Sequence, residues 1–252
     1  MPALLWSLLG ALVIGLALGL LGSGGSILTV PILVYGLGWG EKAAISGSLA
    51  IVGGIAFAGA LAAGRRGWVD VQTAALLAVP GMVGTTVGTA LGTHVSGAVQ
   101  LVVFAHVMLG AAFSMLRPPA VESSANAPRA PRLLALDGLL VGALTGFVGV
   151  GGGFLIVPVL VILARLPPER AVGTSLAIIA ANAAVGFWRS HAALVATGAQ
   201  LDFRVIALFV AVGIAGTRLG RRVGRRWSPA RFRRTFAVVL VVVALAILLD
   251  RL

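Results

Sequence analysis

The sequence contains no cysteine and few charged residues. Without cysteine the chain has no disulfides, no thiolate metal sites and no cysteine nucleophile. Only 10% of the 252 residues are charged, whereas 59% are hydrophobic and the mean hydropathy is +1.07. Soluble domains carry about 25% charged residues. The composition therefore excludes an ordinary soluble domain and predicts an integral membrane protein.

Acidic residues are especially scarce, and none falls in the middle of an apolar run. The seven are Glu41, Asp70, Glu122, Asp137, Glu169, Asp202 and Asp250. All lie in predicted loops or about one turn from the end of a predicted span, so proton coupling through a buried carboxylate is not expected. The chain also scatters its few acids and histidines, so we expect no metal or cofactor site. An intramembrane enzyme is a remote alternative.

The net charge of +12 would indicate nucleic-acid binding in a soluble protein. Here the basic residues lie in loops between apolar runs, and cytoplasmic loops of membrane proteins are enriched in Lys and Arg. We therefore expect the lipid bilayer as the partner and no nucleic acid. A non-transporting assembly protein would use the basic loop to bind its partner. This second alternative is remote, because the loop is short and carries no evident domain.

The long apolar runs predict an all-α polytopic membrane protein. A helix that crosses the ~30 Å hydrocarbon core needs about 20 apolar residues, and non-alternating runs favour helices over barrel strands. The predicted spans are 43–63, 68–92, 97–116, 171–188, 203–220 and 232–249. Two further runs, 3–37 and 134–163, are interrupted by glycines, and each is predicted to form a broken helix.

The two interrupted runs are copies of one element. Residues 15–34 read GLALGLLGSGGSILTVPILV and residues 142–161 read GALTGFVGVGGGFLIVPVLV, which align without a gap at an offset of 127. Because the similarity continues into the following spans, we predict an internal duplication. An N-terminal repeat at 1–116 and a C-terminal repeat at 133–252 are joined by a linker at 117–132, which is rich in Pro, Ala and Ser.

The basic residues distinguish parallel from inverted halves. If each glycine element enters and leaves on one side, 15 basic residues lie inside and 4 outside; if each crosses, the numbers are 11 and 8. The larger asymmetry favours inverted halves, each with one broken-helix element and three spans. Whether each element is re-entrant or crosses fully is left open.

The glycine elements are the predicted substrate site. Transporters with inverted repeats bind substrate near the midplane, where the N-termini of interrupted helices present N–H groups to anions. Glycine also adopts torsions that other residues avoid, although close helix packing is an alternative role. The candidates are Gly22, Ser23, Gly24, Gly25, Ser26 and Pro31 in the first copy, and Gly149, Gly151, Gly152, Gly153 and Pro158 in the second.

Three polar residues in the following spans complete the candidate site. Ser48 and Ser175 occupy equivalent positions in the two halves, and Asn182 is the most polar residue within a predicted span. For each of them, a hydrogen bond within or between helices is the alternative. His106 lies in the middle of a span and is expected to be a neutral, hydrogen-bonded packing residue.

The paired G-x-G-G-x5-P element carries a family resemblance. GSGGSILTVP at 22–31 and GVGGGFLIVP at 149–158, followed by GSLAIV and GTSLAII, resemble the sulfite exporter TauE/SafE family, also called the toluene sulfonate uptake permeases. The resemblance covers almost the whole chain. It implies a multi-pass permease of the bacterial inner membrane for small sulfur-containing or organic anions, and not an enzyme.

The absence of acidic residues from the middle of the predicted spans suggests transport without proton coupling, and the membrane potential then favours export of an anion. Export of an anion from a negative interior is favoured by ~2.3 kcal/mol per charge per 100 mV, so outward flow requires no coupling ion. We therefore expect export of sulfite or an organosulfonate driven by the membrane potential. Transport of another organic anion, or proton-coupled uptake, is the alternative, and a homodimer is left open.

Overall fold

The computed structural model describes residues 9–17, 24–116, 130–224 and 229–251, and none of these residues is in a strand. The helices are α1 (9–17), α2 (Gly24–Leu28, Thr29–Pro31 and Ile32–Gly36 in succession), α3 (Glu41–Gly64), α4 (Val71–Thr93), α5 (Gly97–Leu116), α6 (Pro131–Val148), α7 (Gly153–Pro158 followed by Val159–Leu163), α8 (Pro168–Ala196), α9 (Phe203–Gly224) and α10 (Pro229–Arg251).

Six of these helices are long and apolar enough to cross a membrane. The candidate spans are Glu41–Gly64, Val71–Thr93, Gly97–Ser114, Pro131–Val148, Glu169–Ala196 and Phe203–Gly220, and two shorter apolar stretches are Ser26–Gly36 and Ala237–Asp250. The prediction of an all-helical, multi-span membrane protein is confirmed.

Helix α8 is longer than its predicted span of 171–188. It continues past Arg189 to Ala196 and ends where Gly198 adopts a φ of 77°, a conformation that commonly terminates helices. Because the added residues keep helical backbone geometry beyond the apolar stretch, hydropathy alone underestimated the length of the helix.

The second glycine element breaks the chain between α6 and α7. Gly149 follows the last residue of α6 with a φ of 78°, and Gly151 and Gly152 have φ values of 54° and 63°. Side chains with a Cβ rarely adopt this left-handed region, so three of the four residues between the helices need glycine. In the first element, residues 18–23 lie outside the described part of the chain.

Other glycines allow helix backbones to touch. A Cβ on Gly84 or Gly88 of α4 would overlap the carbonyl oxygens of Leu139 and Ala143 on α6. Thr85 completes the contact, because its Oγ1 donates to the carbonyl oxygen of Gly142 at 3.1 Å. Lipid tails are as apolar as core side chains, so such close contacts and interhelical hydrogen bonds hold membrane helices together.

Helix α1 packs on α9 by the same kind of contact. A Cβ on Gly15 would lie 2.6 Å from the carbonyl oxygen of Gly213 and 2.9 Å from the Cα of Gly216. Thus Gly15 and its repeat mate Gly142 serve helix packing, whereas the glycines of the turn serve the backbone conformation. Both roles considered for the glycines occur, at different positions.

The two ends of α3 contact different parts of the chain. Lys42, in its first turn, donates from Nζ to the carbonyl oxygen of Gly92, at the end of α4. Beyond the other end of α3, the guanidinium of Arg66 lies 5.1 Å from the centroid of the Trp68 ring. A Cβ on Gly173 would overlap the Trp68 carbonyl oxygen. The end of α4 and the start of α8 are therefore at opposite ends of α3.

Asp70 joins the starts of α4 and α8. Its carboxylate accepts a hydrogen bond from the Thr73 N–H at 2.8 Å, and its own N–H donates to Thr174 Oγ1 at 2.9 Å. Hydrogen bonds from Thr73, with a smaller effect of the positive charge of Arg170, hold the pKa of the Asp70 carboxyl below its ordinary value. Asp70 and Arg170 are therefore on the same side of the bundle.

We predict that Gly88→Ala destabilises the protein, whereas Gly110→Ala does not. The new methyl group at Gly88 would collide with the α6 backbone, and overpacking of this kind costs about 1–3 kcal/mol. A Cβ on Gly110 would meet no atom within 4 Å. Thermal unfolding of the purified variants in detergent tests this: Gly88→Ala should unfold several degrees lower. Equal midpoints for the two variants would contradict the packing role.

Candidate functional site

The turn at 149–153 is buried and holds two N–H groups that meet no acceptor among the described residues. The Gly149 N–H donates to the Thr145 carbonyl oxygen at 2.8 Å, and the Gly152 N–H donates to that of Val150. The N–H groups of Val150 and Gly151 donate to no acceptor in the described part of the chain. Buried backbone N–H groups are nearly always paired in native proteins. The turn therefore offers two donors to a water molecule or a ligand.

Two buried polar side-chain atoms also lack hydrogen-bond partners among the described residues, one beside the turn and one facing Gly81 of α4. Thr145 Oγ1, in the last turn of α6, would be overlapped by a Cβ on Gly152. Asn182 Oδ1 lies on α8, one turn after Ile179, which is in contact distance of Gly151. An unpaired buried polar group costs about 1–3 kcal/mol. The hydroxyl and the two N–H groups together provide a small polar surface within an apolar environment.

The two glycine elements meet at this turn. Ser26, in the first turn of α2, is fully buried, and its Oγ donates to the Val150 carbonyl oxygen at 3.2 Å. Gly24 and Gly25 begin the same helix. The candidates Gly22 and Ser23 lie outside the described residues.

Ser48 contacts the turn from α3. Its Oγ is hydrogen bonded to the carbonyl oxygen of Gly149 and lies 2.9 Å from that of Ile45. Ser175 on α8 is also buried, but its Oγ donates to Val172 of its own helix at 2.8 Å, which is the alternative role considered for it. The equivalent serines therefore have different partners, and only Ser48 joins the turn.

The two candidate prolines occupy equivalent positions in the broken helices. Pro31 is buried and ends the segment Thr29–Pro31, and a wider π-helical segment begins at the next residue. Pro158 ends the segment Gly153–Pro158 and is followed in the same way by Val159–Leu163. Because proline has no N–H to donate, each marks a local change of helix geometry.

A cavity that sequence reasoning missed, with a mostly apolar lining that includes the Lys42 side chain, lies one helical turn from the glycine turn. It has a volume of about 130 Å³ and is lined by Lys42, Ile45, Thr89, Gly92, Thr93, Gln100, Gly146, Ser190, Ala193, Leu194 and Thr197. The cavity approaches the turn through Ile45, because a Cβ on Gly149 would lie 2.5 Å from Ile45 Cγ2. Lys42, one residue before the predicted span 43–63, is therefore an inward-facing cation.

Two other expectations concern side chains away from the turn. His106 Nδ1 lies 2.8 Å from the Val102 carbonyl oxygen of its own helix, but the side chain is exposed rather than packed. In the described ranges, no group of three or more His, Asp or Glu residues is arranged to hold a metal ion.

Comparison with known proteins finds membrane transporters. The family model described as "Sulfite exporter TauE/SafE" matches residues 7–247. A "Probable membrane transporter protein" of Xylella fastidiosa strain 9a5c is 33% identical over 243 residues, which cover 93% of this chain and 91% of that protein. A probable membrane transporter protein of Methanocaldococcus jannaschii is 23% identical over 253 residues, covering 94% of each chain.

No solved structure matches the chain. The family match extends over nearly all of the sequence and confirms the resemblance carried by the paired glycine elements. The chain belongs to the sulfite exporter TauE/SafE family, and it is a multi-pass membrane transporter and not an enzyme.

Proposed function

We propose that the protein is a permease that moves a small anion, sulfite or an organosulfonate, through a site at the turn 149–153. The observation that carries this proposal is the pair of buried N–H groups of Val150 and Gly151, which have no acceptor among the described residues. The hydroxyl of Thr145, also without a partner, lies beside them. The description of the matching family names sulfite as its cargo.

The chemistry of this surface suits an anion. N–H and O–H donors stabilise negative charge, and a buried site of low polarity strengthens each hydrogen bond. The side chains nearest to Gly151 from α3 and α8, Val52 and Ile179, are apolar. A small oxyanion would therefore satisfy donors that the fold leaves open, without a charged side chain to retain it tightly.

The proposal includes an architecture of two inverted repeats, 1–116 and 133–252, joined by a linker at 117–132. Two equivalent contacts between the proposed halves support it. Gly15 of α1 packs on Gly213 of α9, and its repeat mate Gly142 of α6 packs on Gly81 of α4. The broken helix of each half thus packs against the second span of the other half.

The ends of α3 support inversion rather than a parallel arrangement. Helix α3 is continuous over 24 residues, about 36 Å at 1.5 Å per residue. Lys42 is at one end, whereas Arg170, beside Asp70, is at the end where Arg66 lies. Parallel halves would require Lys42 and Arg170 on one side. The inverted arrangement instead groups Arg66 with Arg170, in agreement with the excess of basic residues on a single side.

We further propose that the protein resides in a bacterial inner membrane, with the arginine-rich side in the cytoplasm, and exports its substrate. Potential-driven export needs no coupling ion. Transport of another organic anion, or proton-coupled uptake, is the competing function. The test of driving force below separates potential-driven export from proton-coupled uptake.

We predict that Gly151→Leu abolishes transport while the protein still inserts in the membrane. At a φ of 54°, the new side chain would be strained, and its Cβ would lie 2.6 Å from Val52 Cγ1, in the space beside the free N–H groups. Sulfite flux into proteoliposomes should fall roughly tenfold or more, which corresponds to a loss of about 1.4 kcal/mol or more. Gly24→Leu is expected to act similarly in the first copy.

Gly198→Leu is the matched control. Gly198 has a φ of 77°, so leucine there is strained as well, but a Cβ would meet no atom within 4 Å. This variant should retain flux at equal protein content. The proposed site is wrong if Gly151→Leu and Gly198→Leu transport alike.

The driving force is tested in proteoliposomes with an imposed potential. At 100 mV, a monovalent anion that moves alone reaches an equilibrium ratio of about 50-fold across the membrane, because 2.3 kcal/mol per charge acts on it. We expect sulfite flux to follow the potential set by potassium and valinomycin and to ignore a pH gradient at zero potential. Flux that follows the pH gradient alone would favour proton-coupled uptake instead.

A further inference from the structure

Lys42 is the single lysine of the chain, among 19 basic residues. It lies in the first turn of α3, half-buried, and lines the 130 Å³ cavity. Every other basic residue is an arginine. A lysine at this one position therefore calls for an explanation in terms of its local geometry.

The ammonium of Lys42 is held by three neutral oxygens. Its Nζ donates to the Val95 carbonyl oxygen and to Gln100 Oε1, both at 2.6 Å, and also to the Gly92 carbonyl oxygen. An ammonium has three donors around one atom and can meet three converging acceptors, whereas the flat guanidinium of arginine cannot. The site thus matches lysine specifically.

The charge of this ammonium has no acidic partner within the cavity. None of the residues that line the cavity is Asp or Glu. The neighbouring Glu41 packs its side chain against Gly97 at the start of α5, outside the cavity, and its carboxylate attracts the ammonium from there. On the cavity side the ammonium faces only neutral dipoles, and it attracts anions because charge-assisted hydrogen bonds are roughly twice as strong as neutral ones.

The Lys42 contacts continue to the glycine turn. Gln100, which accepts from Lys42, donates from Nε2 to the Phe147 carbonyl oxygen, two residues before Gly149. Thr89, which also lines the cavity, donates to the Gly146 carbonyl oxygen at 3.3 Å. A change in the partners of Lys42 would therefore act directly on the end of α6 that leads into the turn.

We propose that Lys42 is the anion-recognition group of a second site, at the mouth of the transport path. A small oxyanion enters the cavity, and its oxygens replace the carbonyl oxygens of Gly92 and Val95 on the ammonium. This exchange releases the corner between α4 and α5 from the start of α3. The inference rests on the proposed transport of a small anion but concerns a site distinct from the glycine turn.

The test uses an isosteric pair at Thr93, which lines the cavity and bonds only to its own helix. Thr93→Asp adds a carboxylate close to Lys42, and Thr93→Asn adds a neutral group of the same shape. The thermal unfolding midpoint of the purified full-length protein in detergent is measured at increasing concentrations of sulfite or methanesulfonate, at constant ionic strength. We expect the half-saturating concentration to be at least about tenfold higher for Thr93→Asp than for Thr93→Asn.

Lys42→Met removes the charge itself and should lose the anion response, whereas Arg204→Gln, which removes an exposed charge outside the cavity, should respond as the wild type. If Lys42→Met does not fold, the Thr93 pair still decides. Equal responses of the two Thr93 variants, or a wild type that neither anion stabilises, would overturn the site.

Flux separates this inference from the proposed function. A difference between the Thr93 variants in a protein that moves no anion would keep the Lys42 site and refute the permease. Normal flux with identical anion responses in all variants would refute the Lys42 site and leave the permease in place.

Discussion

The structure depends on one constraint: a backbone N–H or C=O in the hydrocarbon core must find a partner inside the protein. A continuous helix meets this requirement by itself, but a broken helix does not. The break at 149–153 is therefore enclosed by α3, α8 and the first turn of α2, and Ser26 and Ser48 bond to its carbonyl oxygens. The carbonyl oxygens of Gly149, Val150 and Gly152 accept hydrogen bonds from protein groups, whereas the N–H groups of Val150 and Gly151 meet no acceptor among the described residues. We propose that these two donors favour a negatively charged ligand, without any charged side chain at the turn itself.

Glycine serves this constraint in two separate ways. At Gly149, Gly151 and Gly152 it permits the positive φ angles of the break. At Gly84 and Gly88 it lets the α4 backbone approach α6 closely enough for threonine hydroxyls to bond across the interface. The second role supports the first, because α6 must be held rigidly for its final residues to present the turn. In the absence of a hydrophobic driving force between helices in lipid, such contacts hold the break in position.

The sequence predicted the helices and the second glycine turn well, because hydropathy and glycine clusters are local signals. The start of α5 at Gly97 agrees with the predicted span. Local signals could not separate Ser48 from Ser175, because the two occupy equivalent positions and differ only in what faces them. They also could not reveal the cavity, which is assembled from the ends of α3, α4, α5, α6 and α8. Lys42 lies just outside the predicted span 43–63, and its three acceptors come from residues 50 to 58 positions away, so no local signal shows that it faces a cavity.

The Lys42 site explains how a chain without a carboxylate in mid-span could still respond to its substrate. Many transporters hold a coupling cation with carbonyl oxygens at the ends of broken helices. Here a tethered ammonium takes that position at the end of α4, so the positive charge is always present and need not be supplied from solution. An anion that takes the place of the Gly92 and Val95 carbonyl oxygens on the ammonium would free the segment between the end of α4 and Gln100. Recognition at the mouth and the geometry of the glycine turn are then linked through two hydrogen bonds, from Lys42 to Gln100 and from Gln100 to the Phe147 carbonyl oxygen, and the substrate itself acts as the trigger.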